Sequence, residues 1–316
     1  MHMDKKPIKV GGQAVIEGVM MRSPEYVAVA VRKPDDRIVV RRDRFVSWAK
    51  KRRILGWPLI RGGVVLIESL VLGIKALNFS SEVAMAEAED VKQKGKPPTG
   101  QQNKWLLAGT LILSLGMGFA LFFYLPLLLT EWSGVKDGVV FNLVDGGIRL
   151  AVFLLYLGLI SLWKEIRRIF AYHGAEHKSI FAFEAGRPLT VGNVREFTTH
   201  HPRCGTSFLL VVMLVSILVF ILLGRPERIA DRLVRFLFIP VIGGISYEII
   251  QLSAKKWGRW IASTLTAPGL WLQRITTQEP DDKQIEVALA ALKASLGMKQ
   301  DASVEPWTRP AGAETP

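Results

Sequence analysis

The chain lacks the cysteines that a disulfide framework needs. Its 316 residues include one cysteine, so no disulfide can form within the chain. The sequence also lacks the G-x-G-x-x-G spacing and the P-loop lysine of nucleotide-binding loops, although residues 11–24 contain several glycines. The polar N-terminus, MHMDKKPIKV, is not followed by the apolar core of a signal peptide. We therefore expect a chain that binds no nucleotide and whose N-terminus stays in the cytoplasm.

Acidic residues are fewer than basic ones. There are 28 Asp and Glu against 41 Lys and Arg, which gives a net charge of +13. Such an excess fits nucleic acid, a ribosome or anionic lipid as a partner. In a membrane protein the same excess sets orientation, because basic residues stay on the cytoplasmic side. We expect a multi-pass protein of the cell membrane with both termini in the cytoplasm, where an anionic lipid or a protein is a more fitting partner than nucleic acid.

Apolar residues are abundant and concentrated in long runs. Hydrophobic residues make up 49% of the chain, and the mean hydropathy is positive. Four runs have about the length that a helix needs to cross a bilayer, at residues 105–130, 139–163, 208–223 and 233–252. The fourth run carries Arg235, Pro240 and Glu248, and broken helices with ionisable residues usually line a site. The sequence predicts a mainly α-helical, polytopic membrane protein with about four transmembrane helices.

The regions outside these runs divide the chain further. Residues 1–62 are predicted to form a small basic cytoplasmic domain with a β-hairpin, because YVAVAV and RIVVRRDRFV flank the turn Pro34-Asp35-Asp36. Residues 63–90 are predicted to form an amphipathic helix that lies on the membrane or packs as in a soluble protein. The remaining predicted segments are a linker at 91–104, a four-span membrane domain at 105–252 with a cytoplasmic loop at 164–207, a cytoplasmic helical segment at 253–297 and a disordered tail at 298–316.

Four of the five histidines fall between residues 173 and 201. His173 and His177 are four residues apart on a helix that is predicted to continue the second span. Their imidazoles therefore share one face, which lets two histidines chelate one divalent cation. Glu176 completes the pattern H-x-x-E-H, which has the spacing of the inverted zincins, where the glutamate is the general base. The pattern predicts a zinc site with Glu176 as a catalytic residue.

Further ligands are available in two places. His200, His201 and Cys204 precede the third span, and Glu248 lies in the last turns of the fourth. Two histidines with a carboxylate and an open position are typical of a catalytic metal, whereas histidine and cysteine at all four positions are typical of a structural one. The alternative without metal is that the histidines order a loop and that Cys204 is a small buried hydrophobe.

The segment GGQAVIEGVMMRSP is the other unusual stretch. Gln13 and Glu17 stand among apolar residues, and Arg22 follows two methionines. The glycines indicate backbone held closely against a neighbour, with Glu17 and Arg22 paired at the site. A glycine turn that leads into a packed strand is the alternative interpretation.

At GGQAVIEGVMMRSP, YHGAEHKSIFAFE, HHPRCGTSF, GISYEI and TTQEPDDKQIEVA the sequence resembles the YqhQ-like family of bacterial membrane proteins. The resemblance covers nearly all of the chain apart from the linker and the tail. That family is described as predicted metal-dependent enzymes without an assigned reaction, so the resemblance implies a metal-binding membrane protein. The following residues lie in stretches characteristic of the family: Gly12, Gln13, Glu17, His173, Glu176, His177, His200, Cys204 and Glu248.

Two functions of different classes are consistent with these features. The first is an integral membrane metalloprotein, specifically a metal-dependent hydrolase that acts on a lipid or peptide at the cytoplasmic face of the membrane. The alternative is a non-enzymatic scaffold or assembly factor whose basic domain binds a ribosome, a protein or anionic lipid. The broken fourth span also prompts a transporter as a third class.

Overall fold

The computed structural model describes residues 8–58, 60–92, 104–253 and 259–307. Residues 93–103 of the predicted linker and residues 308–316 of the predicted tail lie outside the described residues. The helices are α1 (Trp48–Lys51), α2 (Ile60–Lys92), α3 (Lys104–Phe119), α4 (Leu125–Trp132), α5 (Gly138–Ile160), α6 (Lys164–Glu184), α7 (Val191–Arg195), α8 (Gly205–Leu223), α9 (Ile229–Leu237), α10 (Ile239–Ser253), α11 (Arg259–Thr276) and α12 (Asp282–Leu296).

A five-stranded sheet forms the N-terminal domain. Its strands follow one another in chain order as β1 (Gly11–Val15), β2 (Gly18–Arg22), β3 (Tyr26–Arg32), β4 (Ile38–Arg44) and β5 (Val304–Pro306). The predicted hairpin is confirmed as the antiparallel pair β3–β4. The glycine segment before it forms a second hairpin, β1–β2, as the alternative interpretation of that segment has it.

The end of the chain takes part in the same sheet. Strand β5 pairs in parallel with β4, and the ring of Trp307 meets that of Phe79 edge to face at 5.5 Å. The prediction of disorder from residue 298 is therefore wrong for residues 304–307. Composition alone suggested disorder, whereas the open edge of β4 offers unpaired backbone groups that order this segment.

Helices cover both faces of the sheet. Ala76, Phe79 and Val83 of α2 pack on one face, and Ile285 and Leu292 of α12 belong to the core on the other face. This half of α2 therefore packs as in a soluble protein. Helix α12 begins directly after Asp281, whose side chain accepts a hydrogen bond from the backbone N–H of Gln284 in a capping box.

Among the described residues, four helical stretches are long and apolar enough to cross a membrane: Ile112–Trp132, Gly138–Ile160, Gly205–Leu223 and Ile229–Leu252. The prediction of a mainly α-helical, polytopic membrane protein with four spans is thus confirmed. The fourth stretch breaks at Phe238, two residues before Pro240, because proline has no backbone N–H for the helix ladder. The second stretch ends at Ile160, and extended backbone at Trp163 separates it from α6, so the histidine helix is not the predicted continuation of that span.

Charged side chains inside the spans pair with one another. Asp145 accepts a 2.7 Å hydrogen bond from Arg149 and lies 4.0 Å from Arg235. Arg235 also donates to the side-chain oxygen of Asn142 at 2.7 Å, and both guanidinium groups lie near the ring of Phe220. Ionisable residues within spans are tolerated when they face the bundle and pair in this way. Arg235, which the sequence predicted to line a site in the broken fourth span, therefore belongs to a network of polar contacts between helices.

Candidate metal site

Helix α6 carries the histidine pair and packs closely against the segment that follows α11. The close approach depends on Gly174, where an added Cβ would lie 2.1 Å from the backbone oxygen of Gln278. The N–H of Gln278 donates to the backbone oxygen of Phe170 at 2.9 Å. As a result, the backbone oxygen of Thr276 lies 2.8 Å from Nδ1 of His173.

The two histidines are oriented in the same manner. Nδ1 of His177 lies 2.5 Å from the backbone oxygen of Thr199, and Nδ1 of His173 lies 2.8 Å from that of Thr276. Because a carbonyl oxygen only accepts, both Nδ1 atoms must carry the proton. The lone pair of each neutral ring is then on Nε2. Histidines that bind metals are usually held by such a hydrogen bond from the other ring nitrogen.

Cys204 brings a sulfur atom to these rings. Its Sγ lies 3.2 Å from Nε2 of His173. Cys204 is also the N-cap of α8, where its sulfur accepts a 3.4 Å hydrogen bond from the N–H of Thr206. The N-terminus of a helix favours negative charge, which suits a sulfur that acts as a metal ligand.

The three donor atoms of His173, His177 and Cys204 all lie within 4.8 Å of one another. Tetrahedral zinc lies about 2.0–2.3 Å from nitrogen and sulfur ligands, which places the ligand atoms roughly 3.3–3.8 Å apart. Small side-chain movements would therefore bring the three atoms to zinc-binding distances. The residues fit a transition-metal ion, and three protein ligands are the number found in catalytic zinc sites.

Glu176 lies beside this group with one oxygen free. The residue is 5% exposed, and its Oε2 has no hydrogen-bond partner among the residues that the structure describes. Burial raises the pKa of Glu176 to about 7, although the neighbouring His173 and a hydrogen bond from the N–H of Gly12 both lower it. A carboxylate with a pKa in this range is suited to accept a proton at neutral pH.

His201 lines the same space but is not one of the three clustered donors. Its Nδ1 accepts a 3.2 Å hydrogen bond from the N–H of Arg203, so in the neutral ring Nε2 carries the proton. That Nε2 is buried, lies 3.7 Å from Glu184, and has no hydrogen-bond partner within the described ranges. Burial, together with His177, lowers the pKa of His201 to about 4. The ring is therefore neutral at pH 7, with a free donor.

Two of the candidate ligands are engaged elsewhere. His200 interacts through Nδ1 with the hydroxyl of Thr198 at 3.2 Å. Glu248 forms two hydrogen bonds with Arg61, at 2.7 and 2.6 Å. Neither belongs to the cluster of donor atoms, so of these candidates the structure brings only Cys204 beside the two histidines. The arginine on α2 explains the placement of Glu248, since a guanidinium binds a carboxylate at two points.

The predicted pair between Glu17 and Arg22 does not form. Glu17 accepts from Arg168 and from the hydroxyl of Tyr172, both on α6. Arg22 lies 3.5 Å from Glu68 of α2 instead. The physical reason is that Glu17 lies in the turn before β2 and Arg22 is the last residue of that strand, so each meets a different helix. Both are contacts between the sheet and its helices.

A cavity of about 1090 Å³ opens beside the three donor atoms. Strand β1 forms one wall, and Gln13 points from it towards α2, where its Oε1 would lie 2.7 Å from a Cβ added to Gly73. Leu209 of α8 and Ile250 of α10 also line the cavity. The cavity therefore joins the sheet domain to the ends of two membrane spans.

Sequence reasoning missed the residues that orient the site. Gln273 is fully buried; its side chain accepts from the N–H of His201 at 2.7 Å and donates to the backbone oxygen of the same residue at 2.9 Å. Thr199 and Thr276 contribute only backbone oxygens. The motif TTQEPDDKQIEVA contained one of these residues, but no spacing rule connects it to histidines that lie about a hundred residues earlier.

Gly174→Ala is expected to lower the free energy of unfolding by about 1–3 kcal/mol, because the added methyl group would overlap the backbone of Gln278. Thermal unfolding of the detergent-purified protein measures this effect. Gly192→Ala is the matched control, because a Cβ at Gly192 would have no atom within 4 Å. Equal stability of the two variants would contradict the close packing of α6.

Comparisons with known proteins identify the family of this chain. Residues 57–298 match a family described as "Protein of unknown function (DUF1385)". The chain is also 34% identical over 311 residues to the "Uncharacterized protein YqhQ" of Bacillus subtilis, which covers 95% of this chain and 96% of that protein. No solved structure matches. The match spans the histidine helix, Cys204 and all four apolar stretches, and the chain therefore belongs to the DUF1385 family, to which the YqhQ-like motifs pointed.

Proposed function

We propose that this protein is a membrane metalloprotein that binds a divalent transition metal, with zinc as the expected ion, and hydrolyses a membrane-associated substrate. The observation that carries the proposal is the convergence of Nε2 of His173, Nε2 of His177 and Sγ of Cys204. Two of these atoms belong to rings that backbone oxygens hold in the ligand tautomer.

A bound divalent cation would supply Lewis acidity to a substrate carbonyl or phosphoryl group. Glu176 can then accept a proton from water at Oε2, since that oxygen has no partner among the described residues. His201 can donate from Nε2 to an oxygen on which negative charge develops. Glu176 and His201 both line the cavity beside the three donor atoms, which supports hydrolysis rather than simple metal storage.

The position of the cavity supports a substrate that belongs to the membrane. Cys204 caps α8, which is one of the apolar stretches, and Leu209 lies one turn further along it. A substrate that enters from the bilayer would reach the cavity without crossing water. The basic residues that precede the first span make the cytoplasmic side the expected location.

Elemental analysis of the detergent-purified protein tests the metal site. The wild-type protein is expected to hold about one metal ion per chain after incubation with zinc, as three side-chain ligands do in other zinc sites. Cys204→Ala removes one ligand and is expected to weaken zinc binding by about 100-fold, since even indirect changes reduce affinity by 10–100-fold.

His200→Ala is the matched control for that experiment. It removes an imidazole that lies four residues from Cys204 but outside the donor cluster. This variant should hold as much zinc as the wild type. Loss of zinc from His200→Ala but not from Cys204→Ala would show that a different set of residues binds the metal.

A further inference from the structure

Strand β1 is an edge strand whose outer side faces the cavity. It lies at one end of the sheet, with β2 as its neighbour, and residues 9–15 all line the cavity. Edge strands present unpaired N–H and C=O groups that can pair with another extended chain. The backbone of β1 therefore offers hydrogen bonds within the cavity that holds the candidate metal site.

The ladder of the sheet identifies the groups that point outward. The N–H of Arg32 donates to the backbone oxygen of Glu17 at 2.8 Å, which marks one hydrogen-bonded pair between β2 and β3. Bonded and non-bonded pairs alternate in an antiparallel ladder. The even-numbered residues of β2 therefore bond to the odd-numbered residues of β1. Gly12 and Ala14 direct their N–H and C=O groups away from the sheet.

Helices cover the two faces of β1, and on its outer edge Glu176 of α6 engages the N–H of Gly12. Gln13 meets Gly73 of α2 on one face, and Gly12 meets Glu176 of α6 on the other. The N–H of Gly12 donates to the carboxylate of Glu176. The C=O of Gly12 and both backbone groups of Ala14 have no partner in the part of the chain that the structure describes.

We propose that the substrate is an extended polypeptide segment that pairs with the outer edge of β1 as an added strand. Strand addition is a recurrent way of binding peptides, in which backbone hydrogen bonds supply affinity and tolerate varied sequences. The hydrogen bond between Gly12 and Glu176 places the edge directly beside the proposed base. A lipid chain, in contrast, has no backbone groups to satisfy those of Ala14.

The dimensions of the cavity agree with this occupant. Five residues of strand, at about 3.4 Å each, span about 17 Å. Neighbouring strands lie about 4.8 Å apart and packed layers about 10 Å apart. A slot of that width and depth, about 17 Å long, encloses roughly 800 Å³. The cavity of about 1090 Å³ accommodates such a segment.

The cleavage step of this inference rests on the proposed function, whereas the binding step does not. In hydrolysis of the paired segment, a water oxygen forms a bond to the carbonyl carbon and the C–N bond breaks. The proton that Glu176 accepts from water at Oε2 passes to the leaving amine. The products are a carboxylic acid and an amine, and water is the other reactant.

Binding of a fluorescein-labelled octapeptide of alternating valine and threonine tests the inference. The full-length protein in nanodiscs is titrated with this peptide in EDTA, which prevents metal-dependent cleavage, and anisotropy reports binding. A second peptide with the same side chains carries a methyl group on every amide nitrogen. If backbone pairing holds the peptide, N-methylation is expected to weaken binding at least about tenfold, because each lost hydrogen bond contributes about 0.5–1.5 kcal/mol.

A second experiment changes the backbone of β1 in the protein instead of the backbone of the peptide. Ala14→Pro removes one outward N–H and leaves the ladder with β2 intact, since proline is tolerated at edges. Ala14→Ser keeps that N–H and is the control. The proline variant is expected to bind the unmethylated peptide at least about fivefold more weakly than the serine variant, for loss of about one hydrogen bond.

Two results would overturn the inference. One is equal affinity for the methylated and unmethylated peptides, which would indicate apolar capture; the other is no binding of the unmethylated peptide up to about 1 mM. The metal content of the same preparation reports on the proposed function separately. Peptide binding by a protein that never takes up metal would support the docking edge and refute the metal-dependent hydrolase. Zinc binding without peptide binding would support the metal site and refute the docking edge.

Discussion

Replacing His173 and His177 together by asparagine is expected to abolish metal binding, with at least about a 1000-fold loss of zinc affinity. Two of the three clustered donor atoms disappear, and Cys204 alone cannot retain a divalent cation. Asparagine suits this test because its amide N–H₂ can still donate to the backbone oxygens of Thr276 and Thr199, as the imidazoles do. The substitution thus removes Nε2 and keeps the packing of α6.

Size-exclusion chromatography of the double variant checks that it folds, and elemental analysis reports its metal content. Glu248→Gln is the control for the other candidate ligand, and it should keep the zinc because that carboxylate binds Arg61. Zinc that persists in the double variant would refute the site. A wild-type protein that takes up no zinc would refute the metalloprotein proposal and favour the non-enzymatic scaffold.

Much of the site was predictable because helical geometry is regular. The spacing of four between His173 and His177 places both rings on one face whatever the tertiary structure is. The position of Cys204 directly before an apolar run predicted a sulfur at the end of a span, and the structure makes it the N-cap of α8. Length and apolar content were enough to predict the four spans, since a bilayer sets the length of the helix.

The contacts between distant segments were not predictable. The third ligand was left open among His200, His201, Cys204 and Glu248. The partner of Glu248 depends on where Arg61 of α2 packs against α10, which the sequence does not reveal. The carbonyl partners of the histidines come from backbone, which carries no residue-type signal. Strand β5 was missed because its formation also depends on a contact between distant segments. It pairs with the open edge of β4, which lies far away in the sequence.

The sheet domain was predicted only in part for a different reason. Alternating β-branched residues reveal β3 and β4, whereas GGQAVIEGVMM is apolar with glycines and shows no alternation. Its strands are covered on both faces by α2 and α12 or α6, which removes the polar face that alternation needs. The segment that sequence reasoning read least well is thus the one whose outer edge lines the cavity.

Glu176→Gln is expected to reduce hydrolysis by about 100- to 10,000-fold while zinc binding persists, because proton transfer by a positioned side chain contributes that much. Glutamine has the shape of glutamate and can still accept the hydrogen bond from Gly12, but it cannot take up a proton. None of the three clustered donors is changed. The loss should therefore appear in turnover and leave metal content at its wild-type value.

Fluorescein-labelled casein, which offers many extended segments, is a suitable substrate for this comparison. Glu184→Gln is the matched control, since it removes a second carboxylate that lines the same cavity but is held by Arg203. That variant should keep turnover within about tenfold of the wild type, as expected for a group that does not transfer the proton. Loss of turnover in Glu184→Gln but not in Glu176→Gln would reverse the assignment of the base. Loss of zinc along with activity in Glu176→Gln would instead make Glu176 a residue that supports the ligands.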